Sequence, residues 1–290
     1  MSTPSFLLPA ALLLALLAGC AGSVDSGKFI ALRDAAVQVN RGAQASFDQL
    51  QRDARDSAVL GYPDRKVGAQ GFPLVNAQGE SYDLSAPLSR VTATLDALSC
   101  YSEALAKLAG GGKMEDIDRA SQDLAASLRG LPAGTLDTQA ANGVAVAVDA
   151  LGQAMLAAQR REGLRGVMDR AQPGLDALAQ MMERVDEDLK LYVLNIRLRY
   201  LGLVNRDGVR PPYHSWDRYR FDQQVAAQLA GYDRLEQALA STDKAVRDFP
   251  ELHRQLRASL DQPGKPLDRL HDFIAEARRL RALYRDLPNS

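Results

Sequence analysis

Across residues 175–204 the apolar side chains return every three or four positions: Leu178, Met181, Met182, Val185, Leu189, Val193, Ile196, Tyr200 and Leu203. That period belongs to an α-helix and not to a strand, so the segment must bury one broad stripe against other elements. At 1.5 Å per residue it runs about 45 Å, and its partners must be of comparable length. Asp186 and Lys190, four apart, supply a supporting ion pair on its surface. A core helix of this length predicts a helical bundle.

The rest of the chain supplies the partners. Asp25 or Ser26 caps a helix to about Leu60, with Phe29, Leu32, Ala36, Val39, Phe47 and Leu50 on one face. Ser85-Ala86-Pro87-Leu88 opens a second helix, with Leu88, Val91, Leu95, Leu98, Leu105 and Leu108 inward, and Gly110-Gly111-Gly112 ends it. A shorter helix over residues 114–129 turns Ile117, Leu124 and Leu128 inward. Thr135 or Asp137 caps a weakly amphipathic helix through Ala158 that extends towards Ala171, its middle, charged only at Asp149, suited to close packing through Ala and Gly. Gln172-Pro173-Gly174 then predicts a break or kink, because proline lacks the N–H and crowds the preceding turn. Beyond residues 205–208, Ser215 or Asp217 caps a helix to about Ala240 with Phe221, Val225, Leu229, Tyr232, Leu235 and Leu239 inward. Two shorter helices, near residues 249–260 and 267–287, complete the chain on either side of Pro263-Gly264-Lys265-Pro266.

One stretch departs from this pattern. Phe72-Pro73-Leu74-Val75 and Ser81-Tyr82-Asp83-Leu84 flank Asn76-Ala77-Gln78-Gly79, the signature of a small β-hairpin over residues 72–84. Aromatics make up only 6% of the chain, while Ala, Leu, Arg, Gln and Asp recur, a composition that suits helices and starves a sheet. The expected fold is therefore all-α: a mostly antiparallel bundle of about six to eight helices, with that hairpin as its one strand candidate. Leu131-Pro132-Ala133-Gly134 is the clearest internal break, so a division into two lobes, if there is one, falls near residues 130–135.

The first twenty residues are of another kind. An apolar run over residues 6–17 is too short to span a bilayer as a permanent helix and ends in small residues, as a secretory signal does before its processing site. Its ending, Leu17-Ala18-Gly19-Cys20, resembles the lipobox of bacterial lipoproteins. That resemblance implies cleavage before Cys20 and a diacylglyceryl thioether with a further acyl chain there, which anchors the chain to a bilayer without spanning it. It also implies residues 1–19 as signal peptide, 20–27 as a lipidated tether and 28–290 as the helical domain. Ala21 stands where the family places Asp to retain a product at the inner membrane, which implies the periplasmic face of the outer membrane. With Cys20 consumed, the chain has no internal disulfide to form, and Cys100, in an apolar helical stretch, reads as a packing residue.

Charge is nearly balanced, with Lys+Arg 35 against Asp+Glu 36, which disfavours nucleic acid as a partner. No Gly-rich phosphate loop and no Gly-x-Ser-x-Gly elbow occurs. His214, His253 and His271 fall among loops and polar helix faces, none paired in a zinc- or iron-binding spacing, and no cofactor is expected. Glu183, Asp186, Glu187 and Asp188 alternate with basic residues and read as a solvated helix face. A second basic cluster, Arg278, Arg279, Arg281 and Arg285, reads the same way.

One segment concentrates binding chemistry. Arg206, Arg210, Arg218 and Arg220 are interleaved with Tyr213, His214, Trp216, Tyr219 and Phe221, and Arg, Trp and Tyr are the types enriched at interface hot spots. These aromatics either fasten a loop to the end of the bundle or form a binding surface. With no catalytic constellation in the sequence, the expected role is a non-catalytic envelope adaptor that binds another protein. A periplasmic immunity protein against a toxin makes the same demands. A small-ligand binder or enzyme would instead need a pocket between helices, with Tyr213, His214 and Asp217 at its mouth.

Overall fold

The computed structural model describes residues 24–60, 84–129, 160–206, 209–262 and 264–285. Among them every regular element is helical: α1 (Ser26–Leu60), α2 (Ser85–Gly110), α3 (Met114–Arg129), α4 (Arg160–Val204), α5 (Trp216–Ser259) and α6 (Asp268–Arg285). The all-α bundle expected from the sequence is what the chain forms. Of the segment read as a hairpin only Leu84 is described, buried just before α2. The break at residues 131–134 and the helix expected from Thr135 to Ala158 lie outside the described residues.

Local chemistry sets several helix ends. Asp25 Oδ1 accepts the Gly27 N–H at 3.2 Å, and α1 begins at Ser26, so the last residues of the stretch read as tether are already helical. α2 stops at Gly111, which takes a left-handed φ of 72°, and the Gly112 N–H returns to the Lys107 carbonyl at 2.8 Å. α5 starts at Ser215, whose Oγ accepts the Arg218 N–H at 3.0 Å.

Two expected interruptions do not occur. α4 runs through Pro173, where the sequence predicts a break or kink, and α5 runs unbroken across the gap expected between Ala240 and Phe249, with Pro250 inside it. Leu164, Val167, Met168 and Ala171 before Pro173, and Leu175 and Leu178 after it, are all buried on one continuous stripe. In α5, Val246 and Phe249 before Pro250 and Leu252 and Leu256 after it do the same. An interior proline costs about 3 kcal/mol, whereas each large apolar side chain kept from water contributes about 1.5–3 kcal/mol. Burial on both sides wins.

Cross-helix contacts fix the directions. Arg33 meets Glu103 at 3.6 Å and Asn40 meets Asp96 at 2.7 Å, so α1 and α2 are antiparallel. Arg257 meets Asp169 at 2.7 Å and Arg197 meets Asp233 at 2.8 Å, so α4 and α5 are antiparallel as well. The level of α5 against the α1–α2 pair follows from Tyr101 of α2 to His253 at 2.8 Å near one end and Gln228 to Asp53 of α1 at 3.2 Å near the other. α6 closes the side, with Phe273 edge-on to Phe249 at 5.6 Å between centroids. It crosses α1 at Gly42, where a Cβ would stand 3.0 Å from Leu280 Cβ. Any side chain at position 42 would require Leu280 to give by a few tenths of an ångström.

These levels put the start of α1 and the start of α5 at opposite ends of the bundle. Asp53 lies about 40 Å along α1 from Ser26, and Trp216 about 18 Å beyond Gln228 in the same direction, which separates the two ends by about 60 Å.

Candidate functional site

The connection from α4 to α5 is held by its own backbone and by short polar side chains. The Asn205 and Arg206 N–H groups return to Leu201 and Leu203 at 3.1 Å each, and the Val209 N–H reaches the Arg206 carbonyl at 3.2 Å. The Ser215 hydroxyl donates to the Pro212 carbonyl at 2.8 Å while accepting from the Arg218 N–H. His214 between them takes a φ of 60°, a left-handed conformation uncommon for a residue with a side chain. The turn needs no aromatic to hold its shape.

The aromatics accordingly stay outside. Tyr213 is 79%, Trp216 69% and Tyr219 51% exposed. Trp216 stacks on Tyr219 with centroids 5.1 Å apart and planes 26° from parallel, and the Arg218 guanidinium lies 4.8 Å over the Tyr213 ring. Gln223 donates to the Tyr219 hydroxyl at 2.7 Å, which fixes that ring further. Arg218 reaches Asp222 at 2.8 Å and Arg220 reaches Asp217 at 2.6 Å, whereas Arg206 and Arg210 stand exposed at the turn. Of the residues singled out in the sequence, Arg206, Arg210, Tyr213, His214, Trp216, Arg218, Tyr219 and Arg220 are therefore brought together at one end of the molecule. Tyr213 is tied to the start of α5 through Arg218, while Trp216 and Tyr219 stack on each other and leave much of their surface in water. Phe221, expected inward, is only half-buried, as are Val225 and Leu229; burial along α5 begins at Tyr232.

A second polar cluster lies inside the bundle, and the sequence reading missed it. His253 is 1% exposed, not on a polar face. Its Nε2 lies 2.8 Å from the Tyr101 hydroxyl and its Nδ1 2.7 Å from Gln172 Oε1. The Gln172 amide donates to the Pro250 carbonyl at 3.3 Å and to Asp176 at 3.1 Å, so its oxygen accepts from Nδ1–H and Nε2 is left to accept from tyrosine. Both ring nitrogens are satisfied in the neutral form. Burial, aided by the Arg254 charge, pushes the His253 pKa down to about 3, and burial pushes the Tyr101 hydroxyl well above its usual range. Such a pair holds its protons and is closed to solvent, so it orders the core. A usable signal was present: His253 continues the buried α5 stripe of Val246, Phe249 and Leu256 at helical spacing.

Asp186 also departs from its reading. Glu183, Glu187 and Asp188 are exposed as expected, but Asp186 is buried, paired with Lys190 and facing the buried Asp243 across α4 and α5. Burial, then Asp186, raises the Asp243 pKa, against the opposing pull of Arg247 and Lys190. Cys100 is half-buried and packs on the core, in keeping with a packing residue.

Two spaces between helices lie among the described residues, and neither meets the turn. An apolar cavity of about 20 Å³ beside Tyr101 has room for about one water. An open groove of about 570 Å³ between α1 and α2 is lined by Gln44, Asp48, Ser89 and Asp96 among others. Tyr213, His214 and Asp217 border neither. Among the described residues no group of three His, Cys, Asp or Glu side chains could hold a metal ion, and no helix is long and apolar enough to cross a membrane. Family models, curated proteins and solved structures give no match to this chain. What the arrangement offers chemically is recognition: flat exposed rings, flanking guanidinium groups and a preformed backbone.

Proposed function

We propose that this protein is a lipid-anchored adaptor of the bacterial envelope. Its precursor is cut before Cys20, acylated there, and held at the periplasmic face of the outer membrane. It binds another envelope protein through the Arg/aromatic surface of the α4–α5 turn. One observation carries the reading: Tyr213, Trp216 and Tyr219 keep large exposed surfaces although the turn is already held by Ser215, Pro212 and Arg218. Exposed aromatics that the fold does not use are what a docking surface consists of.

The position of that surface supports the same reading. α1 begins at Ser26, six residues after Cys20, so the anchored end and the turn are about 60 Å apart along the bundle. An upright molecule would present Trp216 well away from the bilayer.

The test is affinity capture from crosslinked envelopes with the native protein, a Trp216→Ala variant and a Cys20→Ala variant, bound proteins being identified by mass spectrometry. One dominant partner is expected with the native chain and a strongly reduced yield with Trp216→Ala. A secretion or envelope-assembly component makes the protein an adaptor; a toxin makes it an immunity protein. Equal capture by the Trp216→Ala variant would remove the turn from the argument, and Cys20→Ala fractionating with membranes as before would remove the anchor.

A further inference from the structure

α4 carries a second apolar stripe on the side away from the core. Leu191, Leu194 and Leu198 are 59%, 45% and 55% exposed, while Tyr192, Val193 and Ile196 between them are buried. With 3.6 residues per turn the three leucines centre about half a turn from the buried face, so the core of the monomer does not use them. Gly202 continues their stripe one turn later. A Cβ there would meet nothing within 4 Å, so packing within the monomer does not ask for glycine at a position where it weakens the helix.

Charge is graded along the same stripe. Before the leucines come the exposed Glu183, Glu187 and Asp188, offset in the sequence by Arg184 and by Lys190, which is held by Asp186. After them come the exposed Arg206 and the half-buried Arg199 and Arg197, both of which also interact within the monomer, Arg197 with Asp233 and Glu236. A copy of the helix laid parallel on the stripe would set like charge on like. An antiparallel copy sets the acidic half against the basic half, and brings Glu187 opposite the open position at Gly202.

We propose that this stripe is a two-fold contact with a second copy of the chain. α4 packs antiparallel on its counterpart, with Leu191 of each copy against Leu198 of the other about an axis between Leu194 and Asn195. The contact does not depend on the anchor at Cys20, and of the α4–α5 turn it involves Arg206 alone. Its size bounds its strength: the three leucines offer roughly 290 Å² per copy, well below the ~800 Å² per partner of a standard interface, so the dimer is of the weak, transient kind.

Sedimentation equilibrium of the secreted chain carrying Cys20→Ala, from about 10 µM to about 1 mM, tests this. The average mass is expected to climb from one copy towards two across that range. Leu194→Lys should hold the chain at one copy with its thermal transition unchanged. Asp188→Arg should weaken association by about 10-fold, and adding Arg199→Asp should restore it. Asn195→Cys in a Cys100→Ser background should form a disulfide with itself under mild oxidant, as a residue at a two-fold axis does. A one-copy mass at about 1 mM would overturn the proposal. So would a dimer indifferent to Leu194→Lys, or a thermal transition lowered by more than about 5 °C in that variant, which would mean the leucines are covered by another part of the same chain.

Discussion

Acid should unfold this protein partly through one histidine, by an amount that follows from its surroundings. In the unfolded chain the His253 imidazole titrates near its ordinary value of 6.5; in the bundle it stays neutral until about pH 3. Its folded pKa is lowered, so below pH 6.5 the unfolded state takes up a proton that the native state refuses. The stability it contributes is complete above pH 6.5 and is lost as pH falls towards 3, at about 1.4 kcal/mol per unit. Between about pH 7.5 and pH 4.5 the loss is about 2.7 kcal/mol, or about 1 M in urea midpoint for a denaturant slope near 2.5 kcal/mol/M. The assay is urea unfolding, followed by helical circular dichroism, at both pH values for the native chain and for His253→Gln. Glutamine cannot titrate, and the carboxylates common to both chains cancel in the difference, so the native chain should lose about 2.7 kcal/mol more than the variant. If both lose the same to within about 0.5 kcal/mol, the imidazole is either charged or hydrated in the native state and the locked Tyr101–His253–Gln172 arrangement is wrong.

Other substitutions probe the rest of the bundle. Leu105, fully buried in α2, should cost about 2–5 kcal/mol as Leu105→Ala, read as a lower urea midpoint with helicity retained before the transition. Trp216→Ala should leave that midpoint within about 0.5 kcal/mol of the native value, since its ring is 69% exposed. Asp243 is buried beside Asp186, its Oδ1 meets no hydrogen-bond donor, and its folded pKa is raised, so its ionised form opposes folding above the ordinary carboxylate range. Asp243→Asn should therefore raise the midpoint at neutral pH. The advantage should shrink as pH falls towards about 4, and a gain that persists unchanged there would show that the charge was not its source.

Helix registers were legible because each follows from a single local period. Phe29, Leu32, Ala36, Val39, Phe47 and Leu50 in α1, and Leu88, Val91, Leu95, Leu98, Leu105 and Leu108 in α2, are all buried as their spacing requires. The continuity of α4 through Pro173 and of α5 through Pro250 was not legible, because it depends on apolar residues contributed by other helices to both sides of each proline. The same holds for His253 and Asp186. Their types are polar, and the partners that allow burial, Tyr101 and Gln172 for one and Lys190 for the other, include side chains far away in sequence. At the α4–α5 turn the residue types drew notice, but whether the rings face inward or outward depends on how Ser215 and Pro212 tie the backbone.

Trp216 is the sole tryptophan of the chain and lies on its outer surface, which divides the spectroscopy of this protein in two. With 69% of its surface in water, its native emission is expected to lie close to that of a solvated indole, so global unfolding should change its colour little. The same indole is a sensor for anything that settles on the turn: dehydration of the ring would shift its emission to the blue while the helical signal stays constant. Folding and docking can thus be followed on one sample through two independent channels, without a label.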